Sequence, residues 1–127
     1  MKNKILSVDD SAIIRKMIKN GVDLMGYELL EASDGDEGLS ILARQSKEIM
    51  LILLDWNMPG MNGMEFLKRV KAPNSGYKDI PVMMVTTESE KTSIVQAIKS
   101  GVSNYMLKPF DTEELTKKIR MCLGGKV

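Results

Sequence analysis

Five times along the chain, a short apolar run is followed by a longer stretch whose apolar positions recur every three or four residues. The first run, Lys4 to Val8, leads into a stretch from Ser11 to Met25. There Ile14, Met17, Ile18, Gly21, Val22 and Met25 share one helical face, and Gly26 supplies the stop. Tyr27 to Glu31 predicts a second strand, Ala32-Ser33-Asp34-Gly35 a turn, and Asp36 to Arg44 a helix with Leu39, Leu42 and Ala43 inward. Ile49 to Leu54 is apolar throughout, the pattern of a central parallel strand covered on both faces. Asn57-Met58-Pro59-Gly60 predicts a loop, Asn62 to Val70 a helix burying Met64, Phe66, Leu67 and Val70 in part, and Lys71 to Asp79 a polar loop. Val82 to Val85 predicts strand four, Ser89 to Ser100 a helix ended by Gly101, Asn104 to Leu107 strand five, and Thr112 to Leu123 the last helix. Helices of this length between short apolar strands require right-handed crossovers. The fold class is therefore α/β, a doubly wound, five-stranded, mostly parallel sheet with five flanking helices.

Polar residues at the ends of these strands carry the chemistry. Asp9-Asp10 follow strand one, Asp55 follows strand three, Thr86-Thr87 strand four, and Lys108 strand five. In a parallel sheet the carboxyl ends form one edge, and ligands bind in the crevice outside it. Three carboxylates, one or two hydroxyls and an ammonium there suit a divalent cation and a phosphoryl group. Mg²⁺ takes oxygen ligands and characteristically uses one or two carboxylates with phosphate oxygens. Asp10 and Asp55 are candidates to bind it directly, Asp9 directly or through water, and the Asn57 carbonyl as a further ligand. One of the aspartates could instead cap the helix after Ser11, but capping explains neither the pair nor a third Asp after an unrelated strand. Asp55, directly after an apolar run, is a candidate nucleophile toward phosphorus, forming an acyl phosphate. Lys108 and the Thr86 hydroxyl would then face the phosphoryl oxygens, where positive charge and hydrogen-bond donors are needed. Against this stand ordinary readings of Lys108 as a surface lysine and of Thr86 as a strand-end β-branched residue.

Composition narrows the field. At 127 residues the chain reads as one domain, residues 1–127, and its net charge of +1 provides no basic field for nucleic acid. Histidine is absent, which removes the usual general base and the Ser-His and Cys-His nucleophiles. The single Cys122 allows no internal disulfide; its spacing from Leu115 and Ile119 predicts a buried, inert thiol in a reducing compartment. The opening residues form neither a signal peptide nor a membrane span, so a cytoplasmic protein without membrane insertion is expected. Eleven methionines fall largely at core positions, including Met17, Met25, Met64, Met83 and Met84, and are read as packing.

Asp9-Asp10, then Asp55 with Trp56-Asn57-Met58-Pro59-Gly60-Met61-Asn62-Gly63, then Val85-Thr86-Thr87-Glu88, then Tyr105-Met106-Leu107-Lys108-Pro109-Phe110 resemble the receiver domain of two-component response regulators. Order and spacing match along the whole chain, and the pattern is most similar to stand-alone chemotaxis regulators of the CheY type. The resemblance implies a flavodoxin-like sheet of order 2-1-3-4-5, for which regulators of this type are a standard instance. It implies a phosphoryl group accepted on Asp55 from a sensor histidine kinase, and Mg²⁺ held by Asp9, Asp10, Asp55 and the Asn57 carbonyl. It also implies phosphoryl contacts from Thr86 and Lys108, and a cis Lys108-Pro109 peptide. Tyr105 would be an aromatic switch following Thr86, and Asn57 and Glu88 would tune hydrolysis of the acyl phosphate. With no output domain expected, the output surface would be helix four, strand five and helix five, carrying Lys91, Ile94, Val95, Tyr105 and Lys118. The partner expected there is a flagellar motor switch protein or another protein target, bound by a monomer that catalyses only its own phosphorylation and dephosphorylation.

Other readings share the fold. A phosphorelay intermediate would pass the group to a histidine phosphotransfer protein. A flavodoxin-like redox protein would place an FMN phosphate against three acidic residues. An aspartyl phosphatase would want a second Asp two residues after the nucleophile, where this chain has Asn57.

Overall fold

The computed structural model describes residues 2–87 and 91–124, with only the backbone of residues 91 and 92. Five strand-helix units follow one another: β1 (Lys4–Val8), α1 (Ala12–Leu24), β2 (Glu28–Ala32), α2 (Gly35–Gln45), β3 (Ile49–Asp55), α3 (Gly63–Val70), β4 (Val82–Thr86), α4 (Lys91–Ser100), β5 (Asn104–Leu107) and α5 (Thr112–Cys122). All pairings are parallel and the sheet order is β2-β1-β3-β4-β5, the flavodoxin-like arrangement. The order reverses beside β1, whose neighbours are β2 and β3, so the crevice opens at the carboxyl ends of β1 and β3.

Side-chain alternation along β3 divides the core into two layers. Ile52 and Leu54 pack with Leu42, Phe66, Leu67 and Ala97 under α2, α3 and α4. Leu51 and Leu53 pack with Ile18, Val22, Leu115 and Ile119 under α1 and α5. This two-sided burial is why β3 tolerates no polar residue before Asp55. Gly21 lets α1 and α5 approach closely, since a Cβ there would lie 2.6 Å from Leu115 Cδ2.

Helix starts follow their polar caps. Ser11, Asp34, Asn62 and Asp111 each accept a hydrogen bond from the backbone N–H three residues on, and Asn62 with Glu65 forms a reciprocal capping box. Gly26 and Gly101, at positive φ just past α1 and α4, end those helices.

The structure differs from the sequence reading in four places. The second strand is displaced by one residue, running from Glu28 to Ala32, and the last helical residue of α5 is Cys122. A short 3-10 turn, Ser46–Glu48, joins α2 to β3. Within α2, Ala43 is exposed and Ile41 is buried. The inward line of α2 runs through Gly35, Gly38, Ile41 and Leu42, because Phe66 packs against Gly38, with 3.0 Å between Phe66 Cε2 and a Cβ built there. A glycine face that admits an aromatic ring carries no apolar signal of its own.

Candidate functional site

Asp9 leaves the end of β1 almost fully buried, and every polar atom it has is engaged. Its N–H donates to Ala32 O at 3.0 Å, extending the ladder to β2. Oδ1 accepts from the Ser11 N–H at 2.8 Å, and Oδ2 from Lys108 Nζ at 3.0 Å. The Asp9 carbonyl accepts from Arg15 Nη1 at 2.6 Å. Asp55, the last residue of β3, is 3% exposed. Its Oδ1 lies 3.3 Å from Lys108 Nζ and accepts from the Asn57 N–H, also at 3.3 Å. Trp56 N–H donates to Val85 O, and Gly63 N–H to Trp56 O, so the chain after Asp55 is tied to β4 and to the start of α3. A Cβ on Gly63 would come within 2.8 Å of Trp56 Cα, so this close return depends on glycine.

Asp10 is exposed, yet carboxylate oxygens of Asp9, Asp10 and Asp55 all lie within 4.8 Å of one another. Three hard oxygen donors at that spacing, from two strand ends, fit an oxygen-seeking divalent cation. Thr86, buried at the end of β4, accepts from Asn57 Nδ2 at 3.4 Å through its hydroxyl. Its carbonyl accepts from the Lys108 N–H at 2.8 Å, which fixes the start of the Lys108-Pro109 turn, and that peptide is cis.

Electrostatically, the crevice is a crowded acidic site whose Asp9 and Asp55 carboxylates, among the described residues, pair with the Lys108 ammonium. Burial pushes the Asp55 carboxyl up from its ordinary 3.8 to about 6, and the charge of Asp9 adds to the rise. Lys108, by charge and hydrogen bond, and the Asn57 N–H work against it. The ammonium spans Asp9 and Asp55 and partly neutralises a pair that would otherwise repel in a medium of low dielectric.

Of the remaining residues expected from the sequence, Tyr105, Lys118, Ile94 and Val95 belong to β5, α5 and α4. Tyr105 on β5 is half-buried, and Lys118 Nζ of α5 stands 5.0 Å from its ring centroid. Ile94 is half-buried and Val95 exposed on α4. Glu88 and the side chain of Lys91 lie outside the described residues. The structure adds two groups that sequence reasoning passed over. Ile98 is exposed beside Val95 on α4. Arg15 grips the Asp9 carbonyl while its Nε bonds Glu31 Oε1 at 3.0 Å. Its only signal in the sequence is a charged residue placed between Ile14 and Met17 on the inward side of α1.

Known proteins place this arrangement in a family. Residues 5–120 match the response regulator receiver domain. The chain belongs to that family. It is similar to a chemotaxis protein CheY homolog of Campylobacter jejuni, 42% identical over 95% of this chain and 92% of the relative. Chemotaxis protein CheY1 of Helicobacter pylori is 43% identical over 95% of this chain and 97% of its own. Among solved structures, chemotaxis protein CheY4 of Vibrio cholerae superposes with a TM-score of 0.85 at 37% identity, covering 97% of this chain and all of that one. Receiver domains of this type serve chemotaxis response regulation; they are not enzymes in the ordinary sense, and they imply a phosphoryl-donor kinase and a downstream target. They generally bind Mg²⁺, and the trio of Asp9, Asp10 and Asp55 could hold it. Among the described residues, no helix is long and apolar enough to cross a membrane.

Proposed function

We propose that residues 1–127 act as one cytoplasmic receiver unit that accepts a phosphoryl group on Asp55 from a sensor histidine kinase and then binds a target such as the flagellar motor switch. The observation that carries this reading is the buried Asp55 carboxylate at the end of β3, with Lys108 Nζ 3.3 Å away in a trio of acidic residues. Asp9, Asp10, Asp55 and the Asn57 carbonyl would hold Mg²⁺, which supplies positive charge against the phosphoryl oxygens.

In the transfer, an Asp55 carboxylate oxygen attacks phosphorus as the bond from phosphorus to the donor histidine nitrogen breaks, and that nitrogen keeps the electron pair. The product is an acyl phosphate. Lys108 leaves its contact with Asp55 and follows the charge onto the phosphoryl group, while its bond to Asp9 keeps it at the crevice mouth. The Thr86 hydroxyl, now held by Asn57 Nδ2, turns to a phosphoryl oxygen, and Asn57 and Glu88 set how readily water reaches the acyl phosphate. Movement of Thr86 changes the space available to Tyr105, and so biases the face carrying Lys91, Ile94, Val95 and Lys118 between two states. The relatives' chemotaxis names support a motor target.

Incubation with acetyl phosphate and Mg²⁺ should add one phosphoryl group, labile to hydroxylamine, and Asp55→Asn should accept none there. Beryllofluoride should raise affinity for a motor switch segment, by a few kcal/mol at most for coupling of this kind. Substitution of Tyr105 or Ile94 should remove that gain while leaving phosphorylation intact. A stable phosphoserine or phosphothreonine as the main product would overturn the assignment of Asp55. Efficient transfer to a histidine phosphotransfer domain, with no binding to the switch in either state, would make the protein a relay.

A further inference from the structure

Asp9 and Asp10 are adjacent in sequence but held in opposite ways. Asp9 is buried and bonded at its N–H, its carbonyl and both carboxylate oxygens. Asp10 is exposed, and among the described residues its carboxylate takes no hydrogen bond and no ion pair. Its direction is therefore set by the backbone, chiefly by the Asp9-Asp10 peptide, whose carbonyl is the one that Arg15 grips at 2.6 Å.

Arg15 is well placed to fix that peptide. Its side chain is only 17% exposed and is braced by Glu31 on the edge strand β2. The guanidinium is planar, so bonds from Nη1 to Asp9 O and from Nε to Glu31 set its orientation as well as its distance. We propose that Arg15 is a positioning residue for the cation site: by holding the Asp9 carbonyl while braced on Glu31, it aims the Asp10 carboxylate into the space shared with Asp9 and Asp55. The inference rests on reading that trio as the Mg²⁺ site.

Charge and position make opposite predictions here. Arg15 is a cation close to a cation site, so its Coulomb effect alone weakens metal binding, and its removal would tighten it. A positioning role requires that removal weaken binding. Partners that orient metal ligands from behind cost on the order of 10-fold or more in affinity when lost.

The test is a Mg²⁺ titration of the full chain at constant ionic strength, read by Trp56 fluorescence, for the wild type, Arg15→Ala, Arg15→Lys and Glu31→Gln. Arg15→Ala should weaken binding by about 10-fold. Arg15→Lys, which keeps a donor but loses the fork, should fall between it and the wild type. Glu31→Gln should weaken binding by up to about 3-fold, the scale of a part-exposed ion pair. Amide hydrogen exchange at Ser11, whose N–H is held by Asp9 Oδ1, should speed up in Arg15→Ala when measured in EDTA. At a Mg²⁺ concentration near the wild-type Kd the same variant should be phosphorylated by acetyl phosphate more slowly than the wild type, and added Mg²⁺ should narrow the difference, placing the loss in affinity. If Arg15→Ala folds poorly, the Lys and Gln variants carry the test alone. Wild-type binding with equal or tighter binding in every variant overturns the inference while leaving the site. A wild type whose signal ignores Mg²⁺ overturns the site and the inference with it.

Discussion

Replacing Asp55 by asparagine should make the metal-free protein more stable, although it removes a residue central to the crevice. The rise of this carboxyl from 3.8 to about 6 means that keeping it ionised in the fold at neutral pH costs about 3 kcal/mol. Asparagine keeps the shape and an acceptor for the Asn57 N–H, and the pull of Lys108 on the carboxylate is already inside that net cost, but its buried amide N–H groups are left imperfectly paired, returning about 1 kcal/mol of the gain. The net effect in EDTA at pH 8 is about 2 kcal/mol of stabilisation, or roughly 6–10 °C in melting temperature for a chain of this size. The pH dependence follows from the direction of the shift. Below the unfolded value of 3.8 the carboxyl is protonated in both states, so the two proteins should differ little. Between 3.8 and about 6 the unfolded wild type ionises before the folded one, so the wild type loses stability relative to the variant as pH rises through that range, and above it the gap is constant. Urea denaturation in EDTA from pH 4 to pH 8 measures the gap directly. Added Mg²⁺ should then close it, because a cation that binds only the folded state stabilises the wild type by mass action. A variant less stable than the wild type at pH 8 in EDTA, or a gap that ignores pH, would refute the electrostatic account of this site.

Two further outcomes can be checked simply. Ser7 Oγ is fully buried on β1 and, among the described residues, has no hydrogen-bond partner, so Ser7→Ala should be neutral or stabilising by about 1 kcal/mol in urea denaturation. Burial pushes the Cys122 thiol up to about 11, with Lys118 acting weakly against it, so native protein at pH 8 should react with a thiol reagent far more slowly than protein unfolded in urea.

What could be read in the sequence follows from how directly each residue's environment is written into its neighbours. The all-apolar run before Asp55 reports two covered sheet faces, and Asp9, Thr86 and Lys108 were legible because each ends a strand whose apolar pattern is plain. Strand order and the cis Lys108-Pro109 peptide came from the family resemblance, since periodicity says nothing about which strands are neighbours or about peptide isomers. The inward line of α2 was misread because Gly35 and Gly38 bury a helix face without apolar side chains. Arg15 escaped notice because its partners are a carbonyl on the preceding loop and a carboxylate on β2, and no local spacing encodes a reach of that kind.

The ion pair between Lys108 and Asp9 joins residues 99 positions apart in the chain. Loops that long close late, after the local helices and shorter crossovers have formed, and at an entropic cost that only the completed sheet can offset. The crevice is thus a property of the finished topology: with β5 undocked from β4, the other strand ends have no ammonium among them. A chain still folding, or locally opened at its β5 edge, would present its aspartates without their counter-charge and be a poor phosphoryl acceptor. Competence to receive the signal would then arrive last, and each molecule able to carry it would already be a correctly assembled one.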